Sequence, residues 1–559
     1  MSHEKVFHEG VQEDAVLESL GYQQELKRSF GLIGMIGFSF SIVTSWSALG
    51  GVLIVGVESG GPPVMIYSWI GISVFALAVA YAMAEICSAY PVAGGQYSWV
   101  AVLAPPSVAR GMSYVTGWFM ITGILAMGAT NNFIGANFIL GQANLSFPNY
   151  TIERWHTVLL TYLIAWISTV INIYGPHLLD KISRVAIIWN IVSFVVVVIT
   201  ILACNDHKQP ASFVFKDFQN FSGFGTAYCA ILGLLQSAFG MCCYDAPAHM
   251  TEEMLNASRE APKAIVMSVY IGAITGFIFL ISVCFCIGDI TTTAESTTGV
   301  PLIEIFYNST QSVVGACFLT STLVVIVLIC ANGLLAEASR SLYAFARDKG
   351  LPFSSTIAKV DPKRQVPVYA ILLACVVQMA LNSIYFGTLT GFNTVISIGT
   401  EGFCTSLFPS SPYLPPAPFP PKIQAKTNDN QQTPDLSYAM PLLARLTSPT
   451  TPLPGPYTLG KLSVPLNILG LLFLLFTSIT FNFPTLSPVN EEDMNYTCAA
   501  IGVIALVSIA TWVTTGRRGF TGPQVQVVEG VGGGETGKGE GKVEAGGGEK
   551  IVTPESESG

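Results

Sequence analysis

Charge is what this sequence has least of. Asp, Glu, Lys and Arg make up 11% of its 559 residues, where a soluble domain carries about 25%. That deficit excludes an ordinary soluble fold. The net charge of −9 comes largely from the two tails and carries no partner signal; no nucleic acid is expected. The twelve cysteines lack any CxxC pair or Cys/His metal spacing. Cys242-Cys243 are adjacent, and Cys284 and Cys286 lie one residue apart. Free thiols are therefore expected, with no metal and no cofactor. There is no GxxxxGK[ST] loop, no HExxH and no GxSxG elbow. Enzyme chemistry and ATP-driven pumping are left without residues to perform them. No cleavable leader is expected, because the N-terminal segment is polar and the first apolar run is too long for one.

What the chain does have is apolar length: 51% hydrophobic residues and a mean hydropathy of +0.55. Runs of roughly 20 apolar residues recur, each long enough to cross a bilayer as a helix. Twelve spans are predicted: 30–57, 64–87, 112–140, 157–174, 185–204, 228–250, 264–287, 313–346, 366–385, an interrupted tenth from 386, 464–483 and 496–515. With both termini in the cytoplasm, only Arg154, Lys208 and Lys216 of 26 Lys and Arg face outward, as the positive-inside rule requires. The Asn-X-Ser/Thr triplets at Asn144, Asn149, Asn220, Asn308 and Asn495 then fall outside and only Asn256 inside. The expected organisation is a cytoplasmic tail over 1–28, a membrane domain over 29–515 and a Gly/Glu-rich disordered tail over 516–559. A short surface helix is expected near 13–20. Neither tail is expected to contribute chemistry.

One span breaks. FGMCCYDAPAHMTEEMLNASREAPKAI, residues 239–265, stops an apolar run at Gly240 in mid-membrane, then brings an acid, Asp245, and Pro247. Backbone that leaves the helix at that depth must be buried in protein or line a watery cavity, the pattern of a solute site in a transporter. Phe239, Gly240, Met241, Cys242, Cys243 and Tyr244 are the candidate contacts, through backbone atoms rather than thiols. Phe239 closes over a solute or simply packs. Asp245 reads as an intramembrane functional acid or as the cap of a second half-helix, with the cap favoured. Five spans earlier, Thr44, Ser45, Trp46, Ser47 and Ala48 precede Gly50-Gly51. Small hydroxyl residues there let a helix unwind and offer amides to an anion, or let helices pack closely. Two breaks five spans apart fit an inverted five-plus-five repeat.

Pro91 and Gly94-Gly95 force a reversal between spans 2 and 3, where Glu85 and Tyr97 either gate the cytoplasmic exit or hold a structural turn. Glu337 and Arg340 are three residues apart in span 8 and can pair, although the stretch is expected mainly to anchor the inner loop. Ser339 and Ser341 could add to an ion or proton site. Glu401 is a lone acid in span 10. That span runs into residues 404–435, which hold eight prolines and the string TNDNQQT and cannot lie in lipid. Joining Phe403 to Leu436 restores a good span with Arg445 after it. Residues 404–435 therefore read as an untranslated segment kept in the gene sequence, such as a retained intron, or as a loop between half-helices.

Four passages resemble a known family: FSFSIVTSW with SGGP, AEICSAYPVAGGQY, YDAPAHMTEEMLNASREAPKAI, and SRSLYAFARDKGLPFS with KVDPKRQVP. They are similar to the amino acid–polyamine–organocation superfamily, within it to the fungal amino acid/choline branch that includes GABA and choline permeases. The resemblance implies an all-α polytopic LeuT-like fold of twelve helices with helices 1 and 6 broken. It implies a site between spans 1, 3, 6, 8 and 10, a substrate carboxylate at Thr44–Ala48, an amine at the carbonyls of Phe239–Cys243, and Phe239 as an outer gate. It also implies a plasma-membrane symporter for a small amino acid or amine, coupled to protons rather than sodium. Some relatives use a buried lysine in span 5; residues 185–203 hold no charge. For choline an aromatic box is expected, from Trp46, Phe239 and Tyr244. A nutrient sensor that keeps the fold without transporting is the rival reading.

Overall fold

A computed structural model describes residue 14 and residues 17–523, apart from residue 44, several positions within 290–297, residues 388–437 and 449–452, and most of 481–496. Glu401 and the insert at 404–435 lie outside the described residues, as does Thr44.

The described chain is helical throughout its core. The helices are α1 (Leu32–Val43), α2 (Ser45–Gly51), α3 (Leu53–Glu58), α4 (Gly61–Ala89), α5 (Gln96–Leu103), α6 (Ala109–Ser146), α7 (Arg154–Tyr174) and α8 (Leu179–Cys204). Then come α9 (Thr226–Gly240), α10 (Ala246–His249), α11 (Ala257–Cys286), α12 (Pro301–Thr310), α13 (Val313–Arg347), α14 (Val368–Ser383), α15 (Ala439–Thr447), α16 (Ser463–Thr480) and α17 (Thr497–Thr511). Ten helices among the described residues are long and apolar enough to cross a membrane. Each falls on a predicted span. Of the two other predicted spans, the sixth is the shorter α9, and the tenth runs into residues outside the description.

Burial is reversed relative to a soluble protein. Along α7, Leu159, Leu163, Trp166 and Val170 are exposed while Thr161, Ala165, Ser168 and Asn172 are buried. The two sets alternate at helical spacing, so the apolar stripe meets lipid and the small and polar stripe meets the bundle. On α8, Ile188, Val192, Val195 and Ile199 likewise face outward.

Small residues permit the close contacts inside. α4 packs along α11, and α6 along α13. α1 meets α8 at Gly37, where an added Cβ would lie 2.2 Å from the backbone carbonyl oxygen of Ser183. The SGGP passage builds a turn: Gly60 and Gly61 have φ of 107° and 68°, and the prolines occupy the first positions of α4, where a missing N–H costs nothing. A two-residue antiparallel ladder pairs Ser59–Gly60 with Gln219–Asn220.

The N-terminal segment is part of the fold. Leu17, Leu20, Leu26 and Phe30 are buried in the core. At the other end of the chain, Phe520 packs against Tyr97, Tyr114 and Phe345. Both segments dock on the end of the bundle that carries the basic loop after α13. Residues 17–30 and 516–523 each supply apolar side chains that the bundle end covers.

Candidate functional site

The predicted break lies where expected. α9 ends at Gly240, and Met241 leaves helical geometry with φ −121° and ψ 37°. Cys243 takes φ 60°, a left-handed conformation that a side chain adopts only under constraint. Gly240 is needed for packing: an added Cβ would lie 2.9 Å from Trp69 and 3.1 Å from Leu49. Pro247 starts α10, where proline is tolerated. Residues 239–245 are all buried, as irregular backbone at this depth must be. The thiol of Cys242 donates to the freed carbonyl of Phe239 at 2.9 Å.

Beside the break lies an internal cavity of about 20 Å³, room for one or two waters. Ala48 of α2, Asn131 of α6, Phe239 with Cys242 and Cys243 of the break, and Cys330 with Leu334 of α13 line it. Predicted spans 1, 3, 6 and 8 thus meet at one point. Asn131 is the polar side chain among them, and its amide donates to the Val327 carbonyl at 3.1 Å. Sequence reasoning missed it, although an Asn-Asn pair inside the apolar α6 was a visible signal.

Directly past the break sits a buried polar cluster. Asp245 accepts from the Gln96 amide at 2.5 Å and from the Tyr438 hydroxyl, and its Oδ2 lies 3.1 Å from His249 Nε2. His249 Nδ1 faces the Ala93 carbonyl at 3.2 Å. Gly95, at φ +56°, lets the turn before α5 lie against this ring, where a Cβ would approach it to 2.6 Å. Gly95 of the Gly94-Gly95 motif therefore serves the cluster. Glu337 of α13 completes it: one ligand atom each from Asp245, His249 and Glu337 lie within 4.8 Å of one another. Both Glu337 oxygens are buried without a hydrogen-bond partner. By type and spacing, these three could hold a metal ion or share protons.

At the basic end, hydrogen bonds and ion pairs tie several segments together. The Tyr22 and Tyr97 hydroxyls both donate to Asp348 Oδ2, at 2.8 and 2.9 Å. Arg347 grips Glu252 through two bonds of 2.9 Å and stacks over the Tyr22 ring at 4.0 Å. Arg340 pairs with Glu253 at 2.7 Å. Tyr343 donates to Glu25 at 2.7 Å. Burial pushes the Asp348 carboxyl up to about 6, against the lowering by Arg347 and by the hydrogen bonds from Tyr22 and Tyr97.

Comparison with known proteins identifies the family. A family model described as amino acid permease matches residues 30–506. The chain belongs to the amino acid permease family. It is 60% identical, over 83% of its length and 97% of the other's, to a protein of Macrophomina phaseolina named as an amino acid/polyamine transporter. It is 30% identical to the choline transporter of Saccharomyces cerevisiae, over 89% of this chain and 83% of that one. To the amino-acid permease BAT1 of Arabidopsis thaliana it is 29% identical, over 91% and 95%. The solved structure of Mhp1, a nucleobase-cation-symport-1 family transporter, matches loosely, with 13% identity, a TM-score of 0.45, and coverage of 68% of this chain and 78% of that one. The protein is a permease, a secondary transporter and not an enzyme.

Several expectations for this permease need correction. Ser45, Trp46, Ser47 and Ala48 are helical, within α2. Among the described residues, the helical path is interrupted at Val52, with φ −116° and ψ 19°. Helical spacing sends these side chains different ways. Only Ala48 of the four lines the cavity. Ser45 Oγ lies against Gly272, where a Cβ would come within 2.2 Å of it. Trp46 turns away, donating to Asn190 at 2.8 Å and packing edge-on against Phe194 and Phe279. Tyr244 packs against Tyr438 with ring centres 5.3 Å apart. No aromatic box of Trp46, Phe239 and Tyr244 forms, because only Phe239 reaches the cavity. Gly240 and Met241 belong to the break without lining the cavity.

Asp245 does not cap α10: its side chain makes no capping bond, since Gln96, Tyr438 and His249 claim the carboxylate. Glu337 and Arg340 do not pair; the long Arg340 side chain reaches instead to Glu253 and to Asn172. Glu85 takes no part in the basic-end contacts. It accepts from the Leu459 amide at 2.9 Å and the Ser463 hydroxyl at 2.5 Å, tying α4 to the start of α16. Tyr97 does join the basic-end contacts, donating to Asp348. The ten free cysteines among the described residues agree with the thiol reading.

Proposed function

We propose that this permease imports a small amino acid or related amine, GABA-like or neutral, by alternating access and proton symport. The carrying observation is the helix end at Gly240, whose irregular backbone borders a small cavity shared by four helices. An amine can be received there by carbonyls and Asn131, and a substrate of this size needs the cavity to widen. The Tyr22–Asp348–Tyr97 and Arg347–Glu252 contacts act as the inner gate, on the reading that the basic end is cytoplasmic and the membrane is the plasma membrane. The five-plus-five repeat is the architecture that this reading assumes.

Choline or another quaternary amine is the second reading, favoured by the likeness to the yeast choline transporter. The dispersal of Trp46 and Tyr244 weighs against it. Competitive uptake decides: cells lacking their own permeases express the chain and take up radiolabelled GABA or choline at two pH values. GABA accumulation that rises at acid pH is expected. Accumulation of neither compound, with no displacement by a panel of amino acids, would sink the transport reading.

A further inference from the structure

The cluster past the break holds protons by its own geometry. His249 Nδ1 faces a backbone carbonyl, which can only accept, so that nitrogen carries a hydrogen. His249 Nε2 faces Asp245 Oδ2 at 3.1 Å. In a neutral imidazole Nε2 would then be an acceptor facing an acceptor. A second proton must therefore lie in this contact, on the ring or on the acid. Gln96 and Tyr438 also donate to Asp245. Asp245 and His249 thus hold that proton between them, and the pair is neutral whichever atom carries it.

Glu337 is left over. It is fully buried, both its oxygens lack a hydrogen-bond partner, and Arg340 on the next turn is committed to Glu253. A buried carboxylate without partners is too costly to keep ionised. The groups facing it are Asp245, His249 and the thiols of Cys242 and Cys243, none of which brings a free positive charge. Its position is also telling. Cys330, Leu334 and Glu337 follow one face of α13 at i, i+4 and i+7, and the first two line the cavity.

We propose that Asp245, His249 and Glu337 form the proton-binding site of this permease, with Glu337 as the group that gains and loses the transported proton. The proposal rests on the proton symport read above. Water reaching the cavity from one side protonates Glu337. The closed arrangement accepts only the neutral acid, so an unprotonated carrier cannot close around its cargo. Opening at the basic end rehydrates Glu337, which ionises and releases the proton to that side.

Potentiometric titration of the purified protein without substrate tests the site directly. Wild type should release about one more proton than Glu337→Gln above the ordinary carboxylate range; equal release there overturns the proposal. In proteoliposomes assayed with radiolabelled GABA and choline separately, Glu337→Gln should lose gradient-driven accumulation at least ten-fold and flatten the pH dependence of exchange. Retention of the wild-type pH dependence overturns it. Wild-type exchange indifferent to a proton gradient would sink the symport reading instead, and the titration would still judge the site. Stoichiometric Mn²⁺ or Zn²⁺ binding that is lost in His249→Gln would make the cluster a metal site and overturn the assignment. Should Glu337→Gln not fold, Glu337→Asp must move the midpoint of proton release; an unmoved midpoint also counts against the proposal.

Discussion

The Cys242 thiol donates to the Phe239 carbonyl across 2.9 Å, at the turn where the α9 ladder runs out. Freed carbonyls at a helix end need partners, and here a side chain supplies one. An incoming ammonium would compete for that same oxygen. Cys242→Ala removes the competitor, so KM for an amine substrate should fall about two- to five-fold, as expected for a hydrogen bond of about 1 kcal/mol. Surface delivery should be normal. An unchanged KM would mean that the Phe239 carbonyl does not meet the amine.

Asp348 ties stability to pH. Its folded value, about 6, lies above the ordinary 3.8 because burial disfavours the charge. For an acid shifted upward, the stabilising share is present below about pH 4 and is lost as pH rises through about 6, a change on the order of 3 kcal/mol. Thermal unfolding of wild type should therefore weaken across that window. Asp348→Asn, which keeps an acceptor for Tyr22 and Tyr97 without the charge, should flatten it; an identical pH profile in the variant would remove Asp348 as the cause.

Gly37 has no room for a side chain. Gly37→Ala would set its Cβ against the Ser183 carbonyl, and backbone cannot swing aside. A loss of about 1–3 kcal/mol and a clear drop in monodisperse protein on size-exclusion chromatography are expected. Gly31→Ala, which meets nothing within 4 Å, is the matched control. Equal behaviour of the two variants would refute the close α1–α8 contact.

The Arg340–Glu253 pair is buried on both sides. Removing one partner strands a charge, at a cost of about 3–5 kcal/mol. Arg340→Met and Glu253→Gln should each lower thermal stability strongly, and the double variant should recover part of the loss. Additive losses would show that the two side chains are not coupled.

Tyr438 follows the proline-rich segment immediately, yet reaches Asp245. A chain lacking residues 404–435 should keep that contact. Its surface delivery and uptake should equal or exceed those of the full chain. Poorer uptake, or transcripts that retain these codons under all conditions, would make the segment a genuine loop.

Hydropathy alone placed ten of the membrane helices, because lipid imposes one apolar length on every span. The end of α9 at Gly240 was equally legible, since glycine, proline and an acid act on the backbone within a turn. What the sequence could not decide was direction. Trp46 points to Asn190, Ser45 to Gly272, and Arg340 to Glu253 rather than to its helical neighbour, because packing from helices distant in sequence sets those partners. The Asp245–His249–Glu337 cluster belongs to the same class. Asp245 and His249 share one turn, but Glu337 and the closing Tyr438 arrive from helices far along the chain. Only the folded bundle brings two acids and an imidazole into one buried space, and that confinement turns three ordinary residues into a candidate proton site.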